Sequence, residues 1–212
     1  MAKPIAPDYN CPLCPRLVAF REEARRKFPD KFNGPVPSFG PLDCQLLIVG
    51  LAPGLKGANF SGRPFTGDWA GLLLYPMLKE FGFAKGEYKA RPDDGFELVN
   101  CRITNAVRCV PPANKPLPVE EHTCRPFLVG EIAALKNLKI VLVQGTVAHN
   151  SALRTFGLKL SAYKFRHGAV HDLPNGLKLV NTYHTSRYNT NTGRLTEEMF
   201  RDVIRLCKSL VS

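Results

Sequence analysis

Negative charge is scarce in this sequence: 18 Asp and Glu stand against 29 Lys and Arg, which leaves a formal charge of +11 on 212 residues. That imbalance excludes an acidic, solvating chain and favours a polyanionic partner, because basic side chains that neutralise phosphates release condensed counterions. Long hydrophobic runs are also missing. The longest apolar stretches, such as residues 46–52, are far too short to cross a bilayer, so a membrane-spanning role is excluded. Residues 1–10 contain proline and lack the apolar core of a secretory leader, so a cytoplasmic, nucleoid-associated monomer is the expectation. Disulfides are rare in that compartment, and the seven cysteines are expected as metal ligands, nucleophiles or buried small hydrophobes. No internal repeat, low-complexity tract or Gly/Ser linker divides the chain, which predicts one domain over residues 1–212.

What is present alternates between apolar runs and helical patterns. Residues 45–50 (Gln-Leu-Leu-Ile-Val-Gly) and 140–144 (Ile-Val-Leu-Val-Gln) are short, continuously apolar stretches, as in strands buried on both faces of a parallel sheet. A further strand is expected over residues 97–105, and a hairpin over 167–184 turning at the Asn175-Gly176 pair. Helices are expected over residues 16–27, 70–81, 118–135, 146–155 and 196–210. In the first of these, Leu17, Val18 and Phe20 are left to face a core; in the last, Thr196 is placed as N-cap. Strands alternating with helices predict an α/β fold, a parallel sheet with helices on both faces. Ligands in such sheets bind beyond the carboxyl ends of the strands, where the segments 50–68, 105–109 and 184–194 are expected to converge.

Cys11 and Cys14 form a C-x2-C pair, and Cys109 and Cys124 a looser second pair. One tight turn directs both sulfurs of the first pair at one metal, and four such thiolates suit zinc or a [4Fe–4S] cluster equally. Burial in the core is the competing reading for Cys109 and Cys124. Cys44, Cys101 and Cys207 are read as structural.

The segment 50–68 is rich in glycine and proline, which permits positive φ and close approach of backbone N–H groups to a ligand. It matches neither the P-loop nor the dinucleotide fingerprint. Within it, Phe65 and Asp68 offer an aromatic face and a carboxylate three residues apart, although Asp68 also reads as a helix N-cap. Asn105 ends a strand with an amide suited to a base edge or to a simple turn. The strip 183–194 is polar and basic, with arginines interleaved with tyrosine, a pattern suited to phosphate contacts. His184 lies where that strip leaves the sheet.

Taken in order, these pieces resemble the uracil-DNA glycosylase superfamily, and within it family 5, the type-b enzymes. The resemblance rests on Cys11-x-x-Cys14, on Gly50-Leu-Ala-Pro-Gly with Gly62-Arg-Pro-Phe-Thr-Gly-Asp68, and on Thr104-Asn-Ala-Val-Arg-Cys109-Val-Pro-Pro. It continues through Cys124-Arg-Pro and His184 to Asn191-Thr-Gly-Arg-Leu-Thr196. The chain departs at Thr185, where the family usually places a proline after the histidine.

The resemblance implies a three-layer α/β/α fold with a central four-stranded parallel sheet, and a [4Fe–4S] cluster on Cys11, Cys14, Cys109 and Cys124. It also implies hydrolysis of the bond between uracil, or a related damaged base, and its sugar in DNA. The target nucleotide would be extruded into a pocket formed by Gly50, Ala52, Pro53, Gly54, Phe65, Asn105 and His184. Asp68, Asn105 and His184 would be the catalytic residues. Lys56, Arg63, Arg187, Tyr188, Asn191 and Arg194 would meet the DNA. No lysine is placed for Schiff-base chemistry, so strand cleavage is not expected. The competing class is a non-catalytic, metal-stabilised nucleic-acid-binding module, which would share the charge and the cysteines but needs none of Asp68, Asn105 and His184.

Overall fold

The computed structural model describes residues 5–211; residues 1–4, part of the N-terminal stretch read above, and Ser212 lie outside the described residues. In chain order, α1 (Pro15–Lys27) precedes β1 (Leu46–Gly50), which α2 (Ala58–Ser61) and α3 (Trp69–Glu80) follow. The short strands β2 (Ala84–Lys85) and β3 (Glu97–Leu98) lead to β4 (Cys101–Asn105), α4 (Pro118–Ala134), β5 (Ile140–Gln144) and α5 (Thr146–Thr155). The chain ends with β6 (Val170–Asp172), β7 (Lys178–Thr182), α6 (Arg187–Asn191) and α7 (Glu197–Val211).

The main sheet has the order β4-β1-β5-β7-β6. All five residues of β1 and all five of β5 are buried, as their apolar sequences require. The pairs β1–β4, β1–β5 and β5–β7 are parallel, giving the four parallel strands expected. The hairpin adds β6 as a fifth, antiparallel edge strand. Its three residues are exposed or half-buried, so no apolar run announced it as part of the sheet.

Side chains of β1 alternate between two helical layers. Leu46 and Ile48 join the cluster holding Leu74 and Leu78 of α3 with Phe200, Val203 and Ile204 of α7. Leu47 and Val49 face the other way, into the cluster holding Leu128 of α4 and Ala148 and Ala152 of α5. The three layers are helix, sheet and helix. In α7 the buried residues Phe200, Val203, Ile204, Cys207 and Val211 follow helical spacing, and Thr196 Oγ1 accepts from the Met199 N–H at 3.1 Å as the cap. Cys44, Cys101 and Cys207 are all fully buried in these layers.

Three expectations change. The strand read over residues 97–105 is two strands in two sheets, because Asn100 takes a left-handed φ of 51° and its Oδ1 accepts from the Gln45 N–H at 2.8 Å. A polar side chain that bonds the neighbouring backbone redirects the chain here, while the flanking residues keep strand character. On α1 the buried residues are Leu17, Arg21 and Ala24, with Val18 and Phe20 only partly covered. The stretch 50–68, where no helix was expected, contains α2, closed by Gly62 at φ 73°.

Candidate active site

Strands β1 and β4 lie side by side with Gly50 opposite Asn105, so both chains leave the sheet at one point. A Cβ at Gly50 would lie 2.4 Å from Asn105 Oδ1 and 2.8 Å from Phe65 Cζ, so only glycine fits beneath these two side chains. Phe65 is 5% exposed and holds a left-handed φ of 52°. Such strain in a non-glycine residue persists only where the surroundings enforce it. Enforcement comes from Tyr88, whose hydroxyl donates to the Phe65 carbonyl at 3.1 Å, and from Gly71, where a Cβ would sit 1.8 Å from that same oxygen.

Across the opening, the His184 imidazole stacks near Phe65 with ring centres 5.9 Å apart and planes 28° apart. The cavity between the loops measures about 410 Å³ and is lined by Ala52, Pro53, Gly54, Phe65, Asp68, Asn105 and His184. That volume falls within the range of small-ligand sites. Gly50 lies beneath it rather than on its wall.

Asp68 both caps a helix and borders the cavity. Its Oδ1 caps α3 by accepting from the Gly71 N–H at 3.1 Å, while the carboxylate also borders the cavity. Gly57 and Gly54 are the neighbours on its open side: a Cβ at Gly57 would lie 2.6 Å from Asp68 Oδ2, and one at Gly54 3.9 Å from it. Burial pushes the Asp68 carboxyl above the usual carboxylate range, opposed by the N–H groups of Gly71 and Ala70. Burial moves His184 the other way, down to about 4, so its imidazole is neutral at physiological pH. Asn105 is 4% exposed, and its side-chain amide makes no hydrogen bond to protein among the described residues. A buried amide without a protein partner on a cavity wall is free to serve a ligand.

The anticipated DNA contacts divide. Lys56, Arg187, Tyr188, Asn191 and Arg194 are all exposed. Arg187 lies over the Trp69 ring at 5.4 Å and Arg194 over Tyr183 at 4.7 Å. Tyr188 is 71% exposed at the start of α6. Arg63 does not belong with them. It is 5% exposed and forms two 2.8 Å bonds to the carboxylate of Asp94 and one to Thr66 Oγ1 at 2.8 Å, so its charge is spent inside the loop that holds Phe65.

Sequence reasoning passed over three contributors. Trp69 follows Asp68 directly, borders the cavity and donates from Nε1 to Thr190 Oγ1 at 2.8 Å. Its position as the sole tryptophan beside the candidate carboxylate was a usable signal. Asn114 reaches the rim on a backbone at φ 55° that follows Ala113 at φ 54°. Gln144 touches the histidine loop from β5, which no local motif indicates.

Cys11, Cys14, Cys109 and Cys124 line one small second cavity of about 20 Å³, with no carboxylate or imidazole on its wall. Burial and the neighbouring Cys124 push Cys14 up to about 11, and the same two causes push Cys109 up to about 12. The Arg108 N–H points at Cys124 Sγ at 3.4 Å. Arg21, 2% exposed, also borders this cavity; it donates to the Cys11 carbonyl at 3.1 Å and leaves its buried Nε without a hydrogen-bond partner. Among the described residues, no three His, Cys, Asp or Glu side chains are grouped to hold a single metal ion.

The sequence profile of the Uracil DNA glycosylase superfamily matches residues 37–208. The chain belongs to that superfamily. It is 45% identical over 205 residues to a Type-5 uracil-DNA glycosylase of Thermus thermophilus, covering 94% of this chain and 93% of the relative. A Type-5 uracil-DNA glycosylase of Mycobacterium bovis is 40% identical, with 94% and 78% covered, and one from Pyrobaculum aerophilum is 36% identical, with 92% and 87% covered. The cavity bounded by Phe65, Asp68, Asn105 and His184 lies at the carboxyl edge of the sheet, where such folds bind their ligands.

Proposed function

We propose that this protein excises uracil, and related deaminated or damaged bases, from DNA by hydrolysing the N-glycosidic bond without cutting the strand. One observation carries the reading: Phe65, Asp68, Asn105 and His184, spread over 120 positions of sequence, border one cavity at the ligand edge of the sheet. A non-catalytic binding module would not need a carboxylate, a neutral imidazole and an unpartnered amide gathered in one cavity.

A base within a duplex is out of reach, so the nucleotide must swing out into the cavity. The Phe65 face would replace part of the stacking lost, worth about 1–3 kcal/mol per base. Asn105 would pair with the base edge through both donor and acceptor atoms. As the bond to the sugar breaks, positive charge grows on the sugar and negative charge on the base. Asp68, in its carboxylate form, would stabilise the sugar or orient water toward it. His184, held neutral by burial, would donate a hydrogen bond to the base carbonyl without carrying a proton into the reaction. Lys56, Arg187, Asn191 and Arg194 would meet backbone phosphates, and Tyr188 with Arg187 would occupy the space vacated in the duplex.

Cys11, Cys14, Cys109 and Cys124 would hold a [4Fe–4S] cluster. A wall whose candidate ligands are thiols alone suits zinc or iron–sulfur, and the resemblance to family 5 is the reason for preferring the cluster. The buried Arg21 guanidinium supplies positive charge against four thiolates. The cluster's contribution would be structural, tying the N-terminal segment to the loop after β4. No helix among the described residues is long and apolar enough to cross a membrane. The protein would act as a cytoplasmic monomer on nucleoid DNA.

The test is single-turnover release of uracil from a defined oligonucleotide. Asn105→Ala and His184→Ala are each expected to slow release by on the order of a hundredfold. Release at the original rate from either variant would remove that residue from the mechanism.

A further inference from the structure

Neither ring nitrogen of His184 makes a hydrogen bond to protein among the described residues, and the imidazole stacks with Phe65. Where no second group orients a histidine ring, its placement depends on its own backbone. On its preceding peptide Thr182 Oγ1 donates to the Tyr183 carbonyl at 3.1 Å, and the 184–185 peptide is gripped from two sides. Asn189 Nδ2 donates to the His184 carbonyl at 2.8 Å, and the following Thr185 N–H donates to Gln144 Oε1 at 3.3 Å. Thr185 Oγ1 donates to the same Oε1 at 3.0 Å. Gln144 is 1% exposed and Thr185 0%, so water does not compete for these bonds.

Gln144 is itself rigidly based. It is the last residue of β5, paired with Thr182 of β7, and the next N–H, from Gly145, donates to the Thr182 carbonyl at 2.8 Å. Its Nε2 is buried without a hydrogen-bond partner, so the side chain is held entirely through its oxygen. Proline at position 185, which the family resemblance leads one to expect, has neither an N–H nor a hydroxyl. It would leave this buried oxygen with no donor at all.

We propose that Gln144 is a positioning residue for His184, acting through Thr185, and that the two form a matched pair. The inference rests on the role given to His184 above. The Gln144 oxygen fixes the 184–185 peptide and thereby the imidazole, and Thr185 supplies the two donors that a glutamine at this buried position requires.

The test is a set of single-turnover uracil-release rates, with DNA affinity and melting temperature measured on the same full-length proteins. Gln144→Met is expected to slow release about tenfold, as a small displacement of a reacting group does, with affinity for uracil-containing DNA changed less than twofold. Thr185→Val, which keeps the N–H and the buried volume, is expected to lose less. Thr185→Pro alone is expected to be the most damaged, and adding Gln144→Met to it should recover rate rather than compound the loss. The His184 ring Cε1–H resonance should shift in Gln144→Met. His184→Ala separates the two claims. If His184→Ala is slow while Gln144→Met releases uracil at the original rate, the positioning role is overturned and the catalytic reading survives. If His184→Ala releases uracil at the original rate, the catalytic reading itself fails. Rates that fall only in step with melting temperature, or a double variant slower than Thr185→Pro, also overturn the pairing.

Discussion

The carboxylate of Asp68 and the N–H of Gly71 are 3.1 Å apart, so the residue that starts α3 is the one that faces the base cavity. Its burial raises its pKa while its cap bond opposes the rise. The acid limb of the excision rate is therefore expected above 3.8, the ordinary value for an aspartate, and Asp68→Asn should abolish that limb together with about 10²–10⁴ of the rate. For stability the sign is opposite. A carboxyl with a raised folded pKa favours folding most while protonated, and that contribution is lost as pH rises through the folded value. Asparagine caps helices as well as aspartate does, so Asp68→Asn should unfold at neutral pH no more easily than the original protein. A melting curve beside a pH–rate profile checks both halves.

Arg63 and Asp94 give the contrary case. The Asp94 carboxylate side chain is 0% exposed and Arg63 holds it well below the usual carboxylate range. Arg63→Ala would leave a buried charge unpaired, and a loss of about 3–5 kcal/mol in urea unfolding at neutral pH is expected. A depressed carboxyl stabilises the fold above its unfolded pKa, so the deficit should shrink as pH falls below about 4. The salt dependence of DNA binding by the folded fraction should not change.

Lys56 and Arg187, both exposed, are expected to behave differently again. Alanine at either should leave the melting temperature within a degree or two, about what surface substitutions produce. Each should lower the slope of log affinity against log salt by about one phosphate contact. Measuring that slope with uracil-containing and undamaged duplexes separates these residues from Arg63.

Metal analysis of aerobically and anaerobically purified protein tests the thiol cavity. Iron and sulfide with broad absorption near 400 nm are expected, and Cys124→Ser should lose both together with the cooperative melting of α1 against α4. Stoichiometric zinc in colourless protein would overturn the cluster assignment.

Much of this arrangement was legible in sequence where one physical constraint dominates. The apolar runs of β1 and β5 admit no solvent-facing side, and the glycines at 50, 54 and 57 mark places where Phe65, Asn105 or Asp68 approach the backbone. Legibility failed where tertiary partners decide. Nothing local distinguishes Arg63 from a phosphate ligand, since its partner lies 31 residues away. Asn100 breaks a strand-like run only because Gln45 stands beside it, and Gln144 reads as the polar end of a strand until Thr185 comes within 3.0 Å.

The four residues after Asn105 run straight from the base cavity to the thiol cavity. Ala106 and Val107 are fastened on the way by N–H bonds to the carbonyls of Gly50 and Leu51, at 2.9 and 3.0 Å. Ala106, Val107 and Arg108 are each 3% exposed or less. No slack exists between the two cavities, so an insertion or bulky replacement anywhere in that stretch is expected to displace Asn105 and the cysteine framework together.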